Sequence, residues 1–361
     1  MRVLNVVAST ALLAVPAVPV ALEMQAATVC TVRDDRLDEL SGMVAAGSGY
    51  VVVNDGSDFA DRRRIFFLDS TCKVTRTVAY PSRPRDTEDL ARGADGTLWV
   101  ADIGDNSGSR STIAVWKLAP GAKRPVLFRM SYPDGARDAE ALLVTPADVP
   151  VVVSKEGGTA GLYVPTGPLS RNSTAPLRKA GEVTLPTSTT SNPFSFLGRA
   201  VVTGAATSPD GRHVVLRTYA DAFEFDVPGG DVIRALTTGQ PRQIALPDEP
   251  QGEAITYSAD GRSLLTVSES SGGAAAEPEI LRYALPDRPA VASDPTTEAP
   301  TTTAATPASG SPPGATPDPV AAENPPPFDY ITVVVGLIAV VALLLAGVVL
   351  ALYRRARHRG P

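Results

Sequence analysis

One sequence pattern recurs five times along this chain of 361 residues: a short apolar run, a polar turn, and a second apolar run that ends in a polar or charged residue. Successive copies lie 47, 52, 63 and 50 residues apart when they are aligned on one apolar position. That position is occupied by Met43, Leu90, Leu142, Ala205 and Ile255. The spacing is typical of one four-stranded blade per repeat, so it predicts an all-β chain folded as a five-bladed β-propeller. The third repeat is longer because residues 165–199 form an insertion around Phe194 and Phe196, which leaves a six-bladed propeller as the alternative.

The first run of each copy is predicted to be the innermost strand of a blade and the second its hairpin partner. Asp-Gly pairs at 95–96, 210–211 and 260–261 stand between such runs and are strong hairpin signals. Only the fifth repeat lacks a predicted outer strand, and residues 28–32 offer one that would close the ring. Cys30, in that segment, and Cys72 are the only cysteines, so we expect a disulfide between them, with two separate buried thiols as the alternative.

The N-terminal residues 1–27 resemble a secretory signal peptide, with one early arginine, an apolar stretch and small residues at its end. An uncleaved transmembrane helix is the alternative. Pro16 and Pro19 interrupt the apolar stretch, and no basic cluster follows it, so cleavage and export are favoured. Residues 28–285 are then the extracellular propeller.

The C-terminal part of the chain predicts a membrane anchor. Residues 286–330 are rich in Pro, Thr and Ala and have no apolar periodicity, which indicates a disordered stalk. Residues 331–353 include 22 successive residues without a charge, about 33 Å of helix, which is enough to cross a bilayer. The basic tail, 354–361, is then cytoplasmic by the positive-inside rule, which predicts a single-pass type I protein of the plasma membrane.

The composition limits the partners. A net charge of −6 argues against nucleic acid, and against an anionic membrane surface as the main partner. Only five of the 33 basic residues are lysine, which together with abundant Ala, Pro and Arg is typical of a GC-rich genome and suggests an actinobacterial surface protein.

Strand direction predicts where chemistry could lie, because the start of an innermost strand and the end of its hairpin partner meet at one mouth of the channel. The first position in the five repeats is taken by Ser41, Glu88, Glu140, Thr203 and Glu253. The second is taken by Asp55, Asp102, Lys155, Thr218 and Glu269. Crowded carboxylates repel one another unless a cation compensates, and hard oxygen ligands favour Ca²⁺. The alternative is that these acids pair with Arg85, Arg92, Arg110 or Lys155.

The segment 102–108, Asp-Ile-Gly-Asp-Asn-Ser-Gly, is the most distinctive single loop. Asp105 and Asn106 carry short oxygen-bearing side chains of the kind that a calcium loop uses, although the spacing is not that of an EF-hand. The alternative is a turn whose Asp side chain caps its own backbone. The predicted metal ligands are therefore Glu88, Glu140, Glu253, Asp102, Asp105 and Asp55, with Lys155, Glu269 and Asn106 as further ligand-binding residues of the rim.

Three short segments resemble the acidic blade-opening motif of secreted phytase-like and gluconolactonase-like propellers. They are 86–90 (Asp-Thr-Glu-Asp-Leu), 138–142 (Asp-Ala-Glu-Ala-Leu) and 252–255 (Gly-Glu-Ala-Ile). The resemblance covers about a third of the propeller. It implies calcium at the channel, held by Glu88, Glu140, Glu253 and Asp102, and hydrolysis of a phosphoester or lactone in some relatives. Ser41 and Thr203 replace the acid in two repeats, which departs from that pattern.

The sequence therefore favours a cell-surface, calcium-containing propeller that binds a protein or a cell-envelope ligand. The alternative is a tethered metal-dependent hydrolase of phosphoesters or lactones. A histidine-based catalytic site is disfavoured, because His213 is the only histidine outside the basic tail.

Overall fold

The computed structural model describes residues 25–269 and 277–286. The predicted transmembrane helix, the stalk beyond residue 286, the basic tail and nearly all of the predicted signal peptide lie outside these residues. Within the described part, no helix is both long enough and apolar enough to cross a membrane.

The described residues form antiparallel strands with short connections. The strands are β1 (Ala27–Thr31), β2 (Leu40–Ala46), β3 (Gly49–Asn54), β4 (Arg64–Leu68), β5 (Val74–Ala79), β6 (Thr87–Arg92), β7 (Leu98–Asp102), β8 (Ile113–Leu118), β9 (Val126–Ser131), β10 (Ala139–Val144), β11 (Pro150–Ser154), β12 (Thr159–Pro165), β13 (Ala175–Thr184), β14 (Gly204–Thr207), β15 (His213–Arg217), β16 (Asp221–Asp226), β17 (Arg242–Ala245), β18 (Gly252–Tyr257), β19 (Ser263–Ser268) and β20 (Glu279–Ala284). One short helix, α1 (Val232–Thr238), lies between β16 and β17, and Asp231 caps its N-terminus.

Strands adjacent in sequence pair in groups of four. The groups are β2 to β5, β6 to β9, β10 to β13, β14 to β17, and β18 to β20 with β1. A short parallel pairing of β9 with β13 joins two of these groups into an eight-stranded sheet. The first strand of each group contacts the first strand of the next, and β18 contacts β2, so the inner strands form a closed ring. This is the arrangement of a β-propeller.

The hydrophobic core lies between neighbouring groups rather than in one central mass. One apolar cluster joins Val53 of β3 to Trp116 of β8, and another joins Trp99 of β7 to Val152 of β11. Both tryptophans are almost completely buried, at 0% and 1% exposure, as their positions in predicted strands suggest. The sheets therefore hold one another in place by face-to-face packing.

The closing strand and the disulfide are both present. β1 pairs with β20 and so completes the last group with residues from the N-terminal end of the described chain. Cys30 of β1 is bonded to Cys72 in the turn before β5, with 5.8 Å between the two Cα atoms. The disulfide predicted from the sequence is thus confirmed, and it ties the closing strand to the first group.

The insertion in the third repeat contains both a strand and a loop. Residues 175–184 of the insertion form the outer strand β13, and residues 166–174 before it contain no strand. Residues 185–203 contain no strand and form a loop with one short 3₁₀ turn, Leu197–Arg199. We call this segment the crossing loop.

Candidate metal site at the channel mouth

The first of the two mouth positions defined from the repeats coincides with a β-bulge in four of the five inner strands. The register of the inner hairpin shifts at Ser41, Glu88, Glu140 and Glu253. A bulge adds one residue to one strand and re-aims its side chain. The bulges therefore turn these side chains out of the regular alternation, at the end of the channel where the inner strands begin.

Three carboxylates meet at this mouth. Oxygen atoms of Asp55, Asp86 and Glu88 all lie within 4.8 Å of one another. Asp55 and Asp86 are half-buried, whereas Glu88 is only 2% exposed. We call these three residues the carboxylate cluster. The other sequence-predicted ligands do not belong to it.

Glu88 contributes an unsatisfied buried oxygen atom to the carboxylate cluster. Its Oε1 atom is buried and has no hydrogen-bond partner, while its Oε2 accepts a 3.4 Å hydrogen bond from the Ser41 hydroxyl. An unpartnered buried carboxylate oxygen is costly. A cation bound by all three residues would remove that cost, so the donor set fits a hard divalent ion.

Two glycines allow the carboxylates to approach the backbone. A Cβ atom on Gly104 would lie 1.9 Å from Glu88 Oε1 and 2.7 Å from Asp86 Oδ2. A Cβ atom on Gly56 would lie 2.3 Å from Asp86 Oδ1. Any side chain at either position would therefore push the cluster apart.

The electrostatics of the mouth reflect this crowding. Burial, together with repulsion from the carboxylates of Asp86 and Glu253, raises the pKa of Asp55 to about 8, although a hydrogen bond from the Gly56 backbone opposes the rise. Burial, followed by repulsion from Asp55 and Glu140, raises the pKa of Glu88 well above its ordinary value. Without a cation, the cluster holds its negative charge only at a high cost.

Glu140 and Lys155, both predicted for the rim, form an ion pair beside the carboxylate cluster. Glu140 Oε2 is buried without a hydrogen-bond partner, like Glu88 Oε1. Lys155 Nζ also lies 5.8 Å from the ring centroid of Tyr219, and burial raises the pKa of that tyrosine hydroxyl. For Glu140 the structure thus agrees with the pairing alternative, although one of its oxygens is still unsatisfied.

Glu253 and Glu269 lie on another side of the mouth. Gln251 Nε2 donates a 3.3 Å hydrogen bond to Glu253 Oε1 and also contacts Glu269 Oε2. Burial, together with the neighbouring Glu253, raises the pKa of Glu269 to about 10. This pair extends the acidic surface of the mouth beyond the three residues of the carboxylate cluster.

Asp102 does not join the cluster, because the strand register places it one position further from the mouth than Asp55. Asp102 pairs with Thr87 inside the hairpin, whereas Asp55 follows the last paired residue of β3. Its carboxylate accepts hydrogen bonds from Arg110 Nη2 at 2.9 Å and Trp116 Nε1 at 3.2 Å, and from the backbone of residues 85 and 86. Asp102 therefore forms a buried ion pair with Arg110, and its carboxylate serves the fold.

Asp105 and Asn106 also lie apart from the cluster. Asp105 accepts hydrogen bonds from the backbone N–H groups of Ser109 and Arg110 at 2.9 and 2.8 Å. Although burial alone would raise the pKa of Asp105, these bonds lower it. Asn106 is exposed. The 102–108 segment is therefore arranged as the self-capped turn that the sequence left open as the alternative.

Asp86 is the cluster residue that the sequence analysis did not single out. It lies just before β6, two residues from Glu88, in the position that Asp138 occupies relative to Glu140. The Asp-x-Glu spacing was the available signal, because alternate residues of a strand share a face. The pairing register shifts at Glu88, and this bulge, which re-aims the side chain, could not be read from the spacing.

Asp89 occupies the interior of the ring and has a structural role. Its Oδ2 atom accepts hydrogen bonds from the backbone of Leu142 at 2.8 Å and Ala205 at 3.2 Å. One side chain thereby ties β6 to β10 and β14. Burial raises the pKa of Asp89 to about 8, although hydrogen bonds from the backbone N–H groups of Leu142, Leu90 and Ala205 oppose the rise.

Comparisons with known proteins do not assign a family. No family model matches the chain, and no curated protein matches it. A gluconolactonase from Xanthomonas campestris is 15% identical, with 68% of this chain and 72% of that chain covered and a TM-score of 0.40. A virginiamycin B lyase from Staphylococcus aureus is 13% identical over 69% and 67% of the two chains, with a TM-score of 0.33. A luciferin-regenerating enzyme is 12% identical over 68% and 77%, with a TM-score of 0.40. Such low TM-scores establish neither a shared fold nor a shared activity.

Proposed function

We propose that this protein is a five-bladed propeller, displayed on the cell surface by a stalk and a membrane helix, that holds Ca²⁺ at one mouth of its channel and binds an extracellular ligand there. Asp55, Asp86 and Glu88 would hold the ion. The observation that carries the proposal is that oxygens of three carboxylates lie within 4.8 Å of one another, and that one of these residues, Glu88, has a buried oxygen without a hydrogen-bond partner. Acidic and hydroxyl-bearing residues in loops, without this convergence, would not support the proposal.

The cluster leaves room for a ligand. Ca²⁺ takes six to eight oxygen ligands, and three carboxylates supply at most six. Asp55 and Asp86 are half-buried, so solvent reaches the cluster from the channel mouth. An oxygen atom of an external ligand would complete the coordination shell.

Calorimetric titration of the full chain, reconstituted in nanodiscs, with CaCl₂ tests the proposal. We expect one site with micromolar affinity and a higher melting temperature in Ca²⁺ than in EDTA. Glu88→Gln should abolish both effects while the protein remains folded. Absence of heat and of a melting shift in the parent protein would overturn the proposal.

Hydrolysis is the second candidate, and one observation favours it: the half-buried cluster would leave coordination positions of the ion open to water. A lactone is a better candidate substrate than a phosphoester. Lys155 and Arg110, two basic side chains near the cluster, are engaged by Glu140 and Asp102. Turnover of δ-valerolactone that is lost in Glu88→Gln would support the enzyme, and no turnover by the calcium-loaded parent would reject it for this substrate.

A further inference from the structure

The channel mouth carries more negative charge than one divalent ion balances. Its six carboxylates are those of Asp55, Asp86, Glu88, Glu140, Glu253 and Glu269. Within the described residues, the one ion pair that any of the six makes is that of Glu140 with Lys155. Arg110, whose charge also acts on Asp86, is paired with Asp102. With all six carboxylates ionised, Lys155 and one Ca²⁺ ion would leave three negative charges unbalanced.

The carboxylates outside the carboxylate cluster are connected to one another by direct contacts. We call them the outer acids, and they are Glu140, Glu253 and Glu269. The Tyr219 hydroxyl donates a 3.5 Å hydrogen bond to Glu253, and the Tyr219 ring lies 5.8 Å from Nζ of Lys155, the partner of Glu140. Gln251 joins Glu253 to the third outer acid. Burial, followed by repulsion from Glu253, raises the pKa of Glu140 well above its ordinary value, which places these two acids close together.

Glu140 contributes an unsatisfied buried acceptor to the outer acids. Its side chain is only 3% exposed. Lys155 binds the Oε1 atom, but Oε2 is buried and accepts no hydrogen bond from any described residue. A buried acceptor without a donor costs stability, and the cost is larger for a charged group. A donor N–H group on a bound molecule would remove that cost.

The surroundings of Glu140 already accommodate one ammonium group. The Lys155 ammonium contacts the carboxylate and lies within about 6 Å of the Tyr219 ring, the range in which a cation is attracted to an aromatic face. Lys155 therefore shows which chemistry this part of the mouth holds. The remaining oxygens of the outer acids offer further acceptors of the same kind.

An organic cation suits the outer acids better than a second metal ion does. In the described part of the chain, the carboxylate cluster is the group of three acids whose oxygens converge within 4.8 Å, and the outer acids do not form another. A metal ion needs its ligands to converge on one point. Ammonium groups on a small flexible molecule can each meet a separate acid. Because Glu140 and Glu253 are only 3% and 4% exposed, the molecule must also be narrow.

We propose that the ligand of the mouth is a small, unbranched amino alcohol with two ammonium groups, which bind the outer acids while its hydroxyl oxygen completes the shell of the Ca²⁺ ion. The inference rests on the proposed function, and it assigns the chemical class of the ligand. The two ammonium groups would balance two of the three charges that the ion leaves. Glu140 Oε2 would receive one of their N–H groups.

Ligand-observed NMR on the calcium-loaded full chain in phosphatidylcholine nanodiscs tests the inference, with empty nanodiscs as background. The probes are glycerol, 3-amino-1,2-propanediol and 1,3-diamino-2-propanol. All three have the same three-carbon chain and at least one hydroxyl group, and they carry zero, one and two ammonium groups respectively. We expect affinity to rise along this series, with at least about a tenfold difference between its ends, because charge-assisted hydrogen bonds replace neutral ones. At an ionic strength of about 0.15 M, attraction by exposed charges more than about 8 Å away is largely screened.

Substitution of the outer acids locates the binding. Glu140→Gln should weaken the binding of 1,3-diamino-2-propanol about tenfold, because an ammonium group loses a charged acceptor. Glu269→Gln, at a half-buried position, should also weaken it and serves as the test if Glu140→Gln does not fold. Glu182→Gln is the matched control, because Glu182 lies on β13 with its side chain 55% exposed, and this variant should bind like the parent. Melting curves establish which variants are folded.

The outcomes separate the two proposals. If CaCl₂ alone gives no heat, the proposed function fails and this inference fails with it. If Ca²⁺ binds but the three probes have equal affinities, only this inference is overturned. Equal weakening by Glu140→Gln and Glu182→Gln would also overturn it, because it would show attraction to the net charge of the protein rather than binding at the mouth.

Discussion

At the scale of single residues, the channel mouth contains carboxylates with opposite consequences for stability. Glu88 is buried with an unpartnered oxygen among other acids, whereas Asp102 is buried in a complete set of hydrogen bonds with Arg110. The first arrangement costs stability in the absence of a cation, and the second supports the fold. The two residues therefore respond differently when each carboxylate is replaced by an amide.

We expect Glu88→Gln to raise the melting temperature in EDTA by a few degrees, because the substitution relieves repulsion within the cluster, and to remove the stabilisation by Ca²⁺. Asp102→Asn should lower the melting temperature in both conditions, by the equivalent of about 3–5 kcal/mol, because it leaves Arg110 buried without its partner. Differential scanning calorimetry with and without Ca²⁺ checks both variants. A lower melting temperature of Glu88→Gln in EDTA would contradict this account of the cluster.

Gly104 offers a second test at this scale. Gly104→Ala places a Cβ atom where Glu88 Oε1 now lies, so we expect the affinity for Ca²⁺ to fall at least tenfold. Gly167→Ala is the matched control, because a Cβ atom there meets no neighbour within 4 Å and its backbone φ is not positive. Equal affinities of the two variants in a CaCl₂ titration would show that the cluster is not the binding site.

At the scale of strands and turns, much of the architecture could be predicted and the details of the site could not. Hairpins, outer strands and the closing role of β1 follow from apolar alternation and Asp-Gly turns, which are local signals. The bulge at Glu88 depends on how β6 pairs with β7. Without that knowledge, Asp102 was aligned with Asp55 although it lies one position deeper, and Asp86 was overlooked. The helix α1 was missed because its seven residues carry little periodicity.

Three hairpin turns share a hydrogen bond that makes the stability of the protein depend on pH. Asp95, Asp210 and Asp260 each accept a hydrogen bond from the backbone N–H two residues later, and each has a lowered pKa. For Asp210, burial opposes the shift, but hydrogen bonds from Ser208 and Arg212 lower the pKa to about 2. A lowered pKa in the folded state adds stability above the unfolded pKa of about 4, and this contribution is lost as the pH falls through about 2.

Asp210→Asn should therefore destabilise the protein at pH 6 by well under 1 kcal/mol, because the Asp210 side chain is 43% exposed and solvent screens its charge. The difference from the parent should shrink as the pH is lowered from 4 to 2. Urea unfolding at several pH values measures it. A difference that stays constant across this range would mean that the charge of Asp210 contributes nothing.

At the scale of the whole molecule, the ring is closed by one strand pairing and one covalent bond. The Cys30–Cys72 disulfide spans 42 residues, a loop length for which chain entropy predicts about 4 kcal/mol of stabilisation. We expect the double variant Cys30→Ala, Cys72→Ala to lose about that much in the free energy of unfolding. Hydrogen exchange of the variant should be fastest in β1 and β20. Uniformly faster exchange without such a focus would argue against a specific role in closing the ring.

The pairing of β1 with β20 also sets an order of assembly. β1 is made first, yet its partner begins about 250 residues later, which at 5–20 residues per second is a wait of roughly 10–50 s. Cys72 follows Cys30 after only 42 residues, so the cross-link can form while the last sheet is still incomplete. The early strand is then kept beside the first sheet until the final strand arrives, and the end of the chain that was made first becomes the last part of the ring to be secured.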